Sequence, residues 1–87
     1  MKLMRKPIEV IALFDFEGNA VPIRFRYEDE SQGLCVIKVD KVIKKDKDKF
    51  AGNAMIKYTC ETCDDGAVKL FELRYEIDSL KWYLYKM

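Results

Sequence analysis

Histidine is absent from this 87-residue chain, and with it the commonest general base. Four glycines and two prolines are too few for a low-complexity or disordered segment. Three cysteines, an odd number, do not suit the disulfide framework of a small secreted domain, so a cytoplasmic location is expected. A charge excess is lacking too: sixteen Lys and Arg against fifteen Asp and Glu leave +1. A protein that works mainly by gripping a phosphate backbone carries a clear basic excess, so nucleic-acid binding here would rest on a local patch. No apolar run approaches the ~20 residues of a membrane-spanning helix. Glu9 and Asp15 interrupt the stretch after the first basic residues, which argues against a signal peptide.

What the chain does have is alternation. Val68 to Met87 holds two apolar/polar runs separated by Asp78-Ser79, the pattern of a β-hairpin, and the same rhythm extends back to Ile8. Six strands are predicted, at about Ile8–Phe16, Val21–Tyr27, Leu34–Ile43, Ala54–Glu61, Phe71–Ile77 and Leu80–Tyr85. Gly/Asn or Asp-Gly turn signals separate them at Glu17–Ala20, Phe50–Asn53 and Asp64–Gly66. Pro22 cannot donate to a ladder, which places the start of the second strand at an edge or a bulge. Val42 breaks the alternation of the third, and a bulge near Asp40-Lys41 would restore it.

The reading is one all-β domain over residues 1–87, with an N-terminal segment at 1–7 and a charged loop at 44–53. Its six antiparallel strands form a small meander closing into a barrel or strongly curled sheet, because one wet face cannot cover five Phe, five Tyr and Trp82. The expected core is Ile23, Phe25, Tyr27, Ile37, Val39, Ile56, Tyr58, Phe71, Leu73, Tyr75, Trp82 and Leu84.

Cys60-Glu61-Thr62-Cys63 is the one motif with metal or redox spacing. A structural zinc site takes four ligands. With no histidine, Cys60 and Cys63 would need Cys35 and a carboxylate such as Asp64, or a second chain. A redox pair belongs at a helix N-terminus, whereas this one lies among Glu61, Asp64 and Asp65, and negative neighbours raise a thiol pKa. No metal or cofactor is therefore expected. Ser31 and Ser79 fall in turns without an activating partner, so the chain is not read as an enzyme.

A different surface is legible in the outward positions. Arg24 and Arg26 alternate with the apolar residues of the second strand. Lys38, Lys57 and Arg74 fall on outer faces of other strands, and Tyr83 and Tyr85 flank the sixth strand's apolar positions. Basic residues with exposed aromatics suit either a protein partner or a single-stranded nucleic acid.

The runs Pro22–Tyr27, Val36–Val42, Ala51–Asn53, Glu72–Glu76 and Trp82–Leu84 resemble in order those of short, functionally uncharacterised bacterial all-β proteins. A more distant similarity is to small domains associated with error-prone polymerase accessory proteins. The resemblance spans most of residues 21–87 and implies no activity, cofactor or site residue. The expected function is thus a cytoplasmic protein-interaction or self-association module that does not engage membranes. The alternatives are a nucleic-acid-binding barrel in DNA repair or RNA handling, and a dimeric cysteine-metal protein.

Overall fold

The computed structural model describes residues 1–87, the side chain of Phe50 excepted. Seven strands form: β1 (Leu3–Phe14), β2 (Ala20–Asp29), β3 (Gly33–Lys38), β4 (Lys41–Phe50), β5 (Asn53–Asp64), β6 (Ala67–Glu76) and β7 (Lys81–Lys86). All neighbours are antiparallel, in one sheet ordered β3-β2-β1-β7-β6-β5-β4. All-β and antiparallel are as expected. The six-stranded barrel or strongly curled meander is not what forms. There are seven strands, and the order is open, because its end strands β3 and β4 share no ladder.

The seventh strand comes from the segment read as a charged loop. Lys44 to Lys49 lie inside β4, where Asp46 stands opposite Lys57 and Lys47 opposite Ile56. The chain turns at Ala51-Gly52 with φ of 52° and 84°, the left-handed pair that a two-residue hairpin requires. Pairing to β5 overrides the absence of any apolar residue within Lys44–Lys49. The predicted third strand is really two. Val39 still donates its N–H to Ile23 O, at 2.9 Å, but Asp40 donates to Glu61 O, at 3.0 Å. The chain therefore changes partner from β2 to β5 within one residue.

β1 is also divided between two ladders. Its first half, to Ile8, pairs with β7, and Glu9 to Phe14 pair with β2. Phe25 of β2 meets Phe71 of β6 with ring centroids 5.3 Å apart, although β1 and β7 separate those strands in the order. The two ladders thus share one apolar face. Trp82 packs on Tyr75 and Tyr58 at 4.6 and 5.5 Å, and the buried Tyr58 hydroxyl donates to Ala20 O. Burial first, then Tyr75 and Cys60, pushes that hydroxyl up to about 12.

Most of the expected core is buried, but Ile23 is not: it is 43% exposed, while Ala20 and Pro22 are buried. The reason is a bulge. Ile11 faces Arg24 and Ala12 faces Pro22, which leaves Ile23 as the extra residue and reverses the facing of everything before it. Pro22 does sit beside a bulge, as its missing N–H requires, though in a strand paired on both sides.

Candidate interaction surface

Outward positions of β1, β2 and β3 form cross-strand rows. Glu9, Arg26 and Val36 make one, Ile11, Arg24 and Lys38 the next, and Glu28 and Leu34 a third. Ile11, Leu34 and Val36 are each more than half exposed. Arg26 Nε donates to Glu9 Oε1 at 2.5 Å, and Lys38 Nζ lies 3.8 Å from Asp40 Oδ1. Arg24 has no ion pair among the described residues. Its aliphatic stem lies between Ile11 and Lys38, and such stems extend apolar surface.

This face ends on a free strand edge. An antiparallel ladder alternates hydrogen-bonded with non-bonded pairs. Because Val39 bonds to Ile23, the bonded partners of β2 are Ile37, Cys35 and Gly33. The backbone N–H and C=O groups of Leu34, Val36 and Lys38 therefore point away from β2, toward the open end of the sheet.

Lys57, Arg74, Tyr83 and Tyr85 gather elsewhere. Lys57 stands opposite Arg74, and Arg74 opposite Tyr83, across β5, β6 and β7. Leu84 faces Leu73 while Lys86 faces Glu72, so Tyr85 is an extra residue that swings over Arg74. The Arg74 guanidinium carbon lies 3.5 Å from the Tyr85 ring centroid, and its Nε donates to Glu72 Oε2 at 2.8 Å. Both side chains of that ion pair are at least 87% covered. This is a buried charge pair with a cation–π lid, so the Arg74 charge is already engaged within the protein.

The seven residues read as one binding set therefore divide into two groups. Arg24, Arg26 and Lys38 lie outward on β2 and β3; Lys57, Arg74, Tyr83 and Tyr85 lie on β5, β6 and β7, with β1 between the two groups. Arg26, Lys38 and Arg74 each carry a carboxylate partner. Arg5 joins the second group, its guanidinium carbon 5.9 Å from the Tyr85 ring on a backbone with φ of 51°. Nothing in the sequence announced it, since neither Gly nor Asn marks that position. The exposed Leu34 and Val36 did have a signal: they alternate with Cys35 and Ile37, so one apolar set had to face out.

Cys60 and Cys63 project from opposite faces of β5, because the ladder between them is regular and an offset of three residues reverses the side. Cys60 is fully buried, and burial pushes its thiol up to about 12; Cys63 is exposed. No metal-capable group of three His, Cys, Asp or Glu exists among the described residues. The segment's visible role is at the corner between β3 and β4. The Cys63 N–H and the Thr62 hydroxyl both donate to Asp40 Oδ2, at 2.7 and 3.2 Å. The Cys63 N–H above all, then the Thr62 hydroxyl and the Lys38 charge, hold the Asp40 carboxyl below its usual range. The turn hydroxyls are similarly occupied: Ser31 donates to Asp29 at 2.8 Å, and Ser79 donates to Glu76.

Compared with known proteins, the chain matches no family model, no curated protein and no solved structure.

Proposed function

We propose that this protein is a small, non-enzymatic interaction module of the cytoplasm that docks another polypeptide on the outer face of β1–β2–β3 and the free edge of β3. The observation that carries the reading is the coincidence of exposed aliphatic side chains, arginine stems and unpaired backbone groups on one strand edge. Val36 and Leu34, 59% and 54% exposed, sit on that edge beside Arg24 and Arg26. A docked strand gains affinity from main-chain hydrogen bonds and selectivity from alternate side chains. Arginine is enriched at protein interfaces, where its stem packs and its head pairs.

The nucleic-acid alternative is less well supported. Its cations fall in two separate groups, one on β2 and β3 and one on β5 and β6, and Arg26, Lys38 and Arg74 already have carboxylate partners. Tyr85, the intended stacking platform, is covered by Arg74.

Capture from native lysate separates the readings. Immobilised protein and its Lys57→Glu variant are expected to retain the same polypeptides, and the Arg24→Glu, Val36→Glu double variant to lose them. Equal retention by the double variant, or nuclease-sensitive retention lost in Lys57→Glu, would sink the proposal.

A further inference from the structure

We infer that the polypeptide docked on β3 is a second copy of this chain, paired antiparallel about a two-fold axis through Val36. The inference rests on the docking reading above and adds the identity of the partner. Charge complementarity along one hairpin selects that partner. At the end of β2–β3 near the crossover stand Arg24, which has no ion pair among the described residues, and opposite it Lys38, whose contact with Asp40 is a long 3.8 Å. At the turn end stand Glu28, Asp29 and Glu30, with Glu28 opposite Leu34. Between the charged ends, the outward positions hold only Val36 and its neighbour Arg26, the latter neutralised by Glu9.

A parallel copy would set Arg24 and Lys38 against their own likeness. An antiparallel copy sets them against the acidic turn. The outward backbone groups belong to Leu34, Val36 and Lys38, so only pairings among these residues complete a ladder. Centring the axis on Val36 uses all three: Val36 meets Val36, and Leu34 meets Lys38 in both directions. Each resulting row then runs Glu28, Leu34, then Lys38 and Arg24 of the other copy. The cations of one molecule approach the carboxylate of its mate twice, by symmetry, as an isologous contact demands. On the inner side, Cys35 of each copy faces Ile37 of the other, an apolar pair. The strand is only six residues long, so the contact is small and the dimer is expected to be weak and concentration-dependent.

Sedimentation equilibrium over a concentration series tests this, with thermal melts to establish that each variant is folded. The protein is expected to dimerise reversibly, and the Leu34, Val36 and Lys38 amides to exchange more slowly as concentration rises. Val36→Lys places two ammonium groups at the axis and should abolish the dimer. Lys38→Glu and Glu28→Lys should each weaken self-association by about tenfold or more, because each puts like charges into the shared row. Mixed in equal amounts they should associate again, since each then supplies the sign the other lacks. A protein that stays monomeric with those amides unprotected would overturn the inference. So would a dimer indifferent to Val36→Lys, or a mixture no tighter than its parts. If the monomer still retained a lysate polypeptide through Val36, self-pairing would fail while the interaction-module reading stood. If that were lost as well, both would fall.

Discussion

At one end of the sheet, β3 offers the outward backbone of Leu34, Val36 and Lys38 beside two exposed aliphatic side chains, whereas at the other end β4 offers an unbroken run of charge from Lys44 to Lys49. Both are end strands with unpaired groups, and an unpaired edge is a template for another chain. Lysines along β4 make each approach of a second strand costly in desolvation and repulsion. β3 has only Lys38 for that purpose, and Asp40 lies 3.8 Å from it. Two edges of the same sheet are therefore treated oppositely, one closed by charge and one left open. That asymmetry supports the proposal that the β3 edge, not the β4 edge, is the docking edge.

The largest effect should come from the contact on which both ends depend. Phe25 lies behind β3 on β2 and rests on Phe71 of β6, whose neighbour β5 carries β4. Phe25→Ala is expected to cost about 3–5 kcal/mol in chemical denaturation, as deletion of a buried ring does. Both ends should unfold in one transition. A variant that lost β3 protection in hydrogen exchange while β4 kept its own would show that the two ends are independent.

Sequence pattern located five of the seven strands and most of the core, because β2, β5, β6 and β7 alternate cleanly against Phe25, Tyr58, Leu73 and Trp82. The rest was set by non-local pairing. Nothing within Lys44–Lys49 is apolar, and only the backbone of β5 makes that run a strand. The bulge at Ile23 depends on which residue of β1 lies opposite, so Ala20 and Pro22 could not be placed inside from β2 alone. The binding set suffered likewise. Arg74 looked free as an outward residue of β6, yet the extra residue at Tyr85 folds a ring onto it.

A smaller effect is expected at the corner that links the two ends. Asp40 accepts from Cys63 N–H and Thr62, and its folded pKa is lowered below the usual 3.8. A carboxylate of this kind contributes stability fully above its unfolded pKa, and that contribution is lost as pH falls through the lower folded value. Acid titration of the melting temperature should therefore show a fall below pH ~4 that is shallower in Asp40→Asn, which cannot ionise. At neutral pH the same variant should melt lower than the parent. Identical acid limbs in the two proteins would mean that Asp40 does not anchor the corner.

The smallest change in stability should accompany the sharpest test of the two edges. Lys47 and Lys49 are exposed on β4, opposite Ile56 and Ala54, and neither has an ion pair among the described residues. Lys47→Val with Lys49→Val removes no buried contact, so stability should move by only about 0.5 kcal/mol or less. It does remove the charges that guard the edge. β4 would then present valines beside unpaired backbone, as β3 does with Leu34 and Val36, and self-association through β4 should appear in light scattering at rising concentration. Combining the change with Val36→Lys separates the edges, since association of the combined variant can no longer use β3. If the double-valine protein gains no association, lysine is not what closes β4. The contrast between the two ends would then lie in the shape of the edge rather than in its charge.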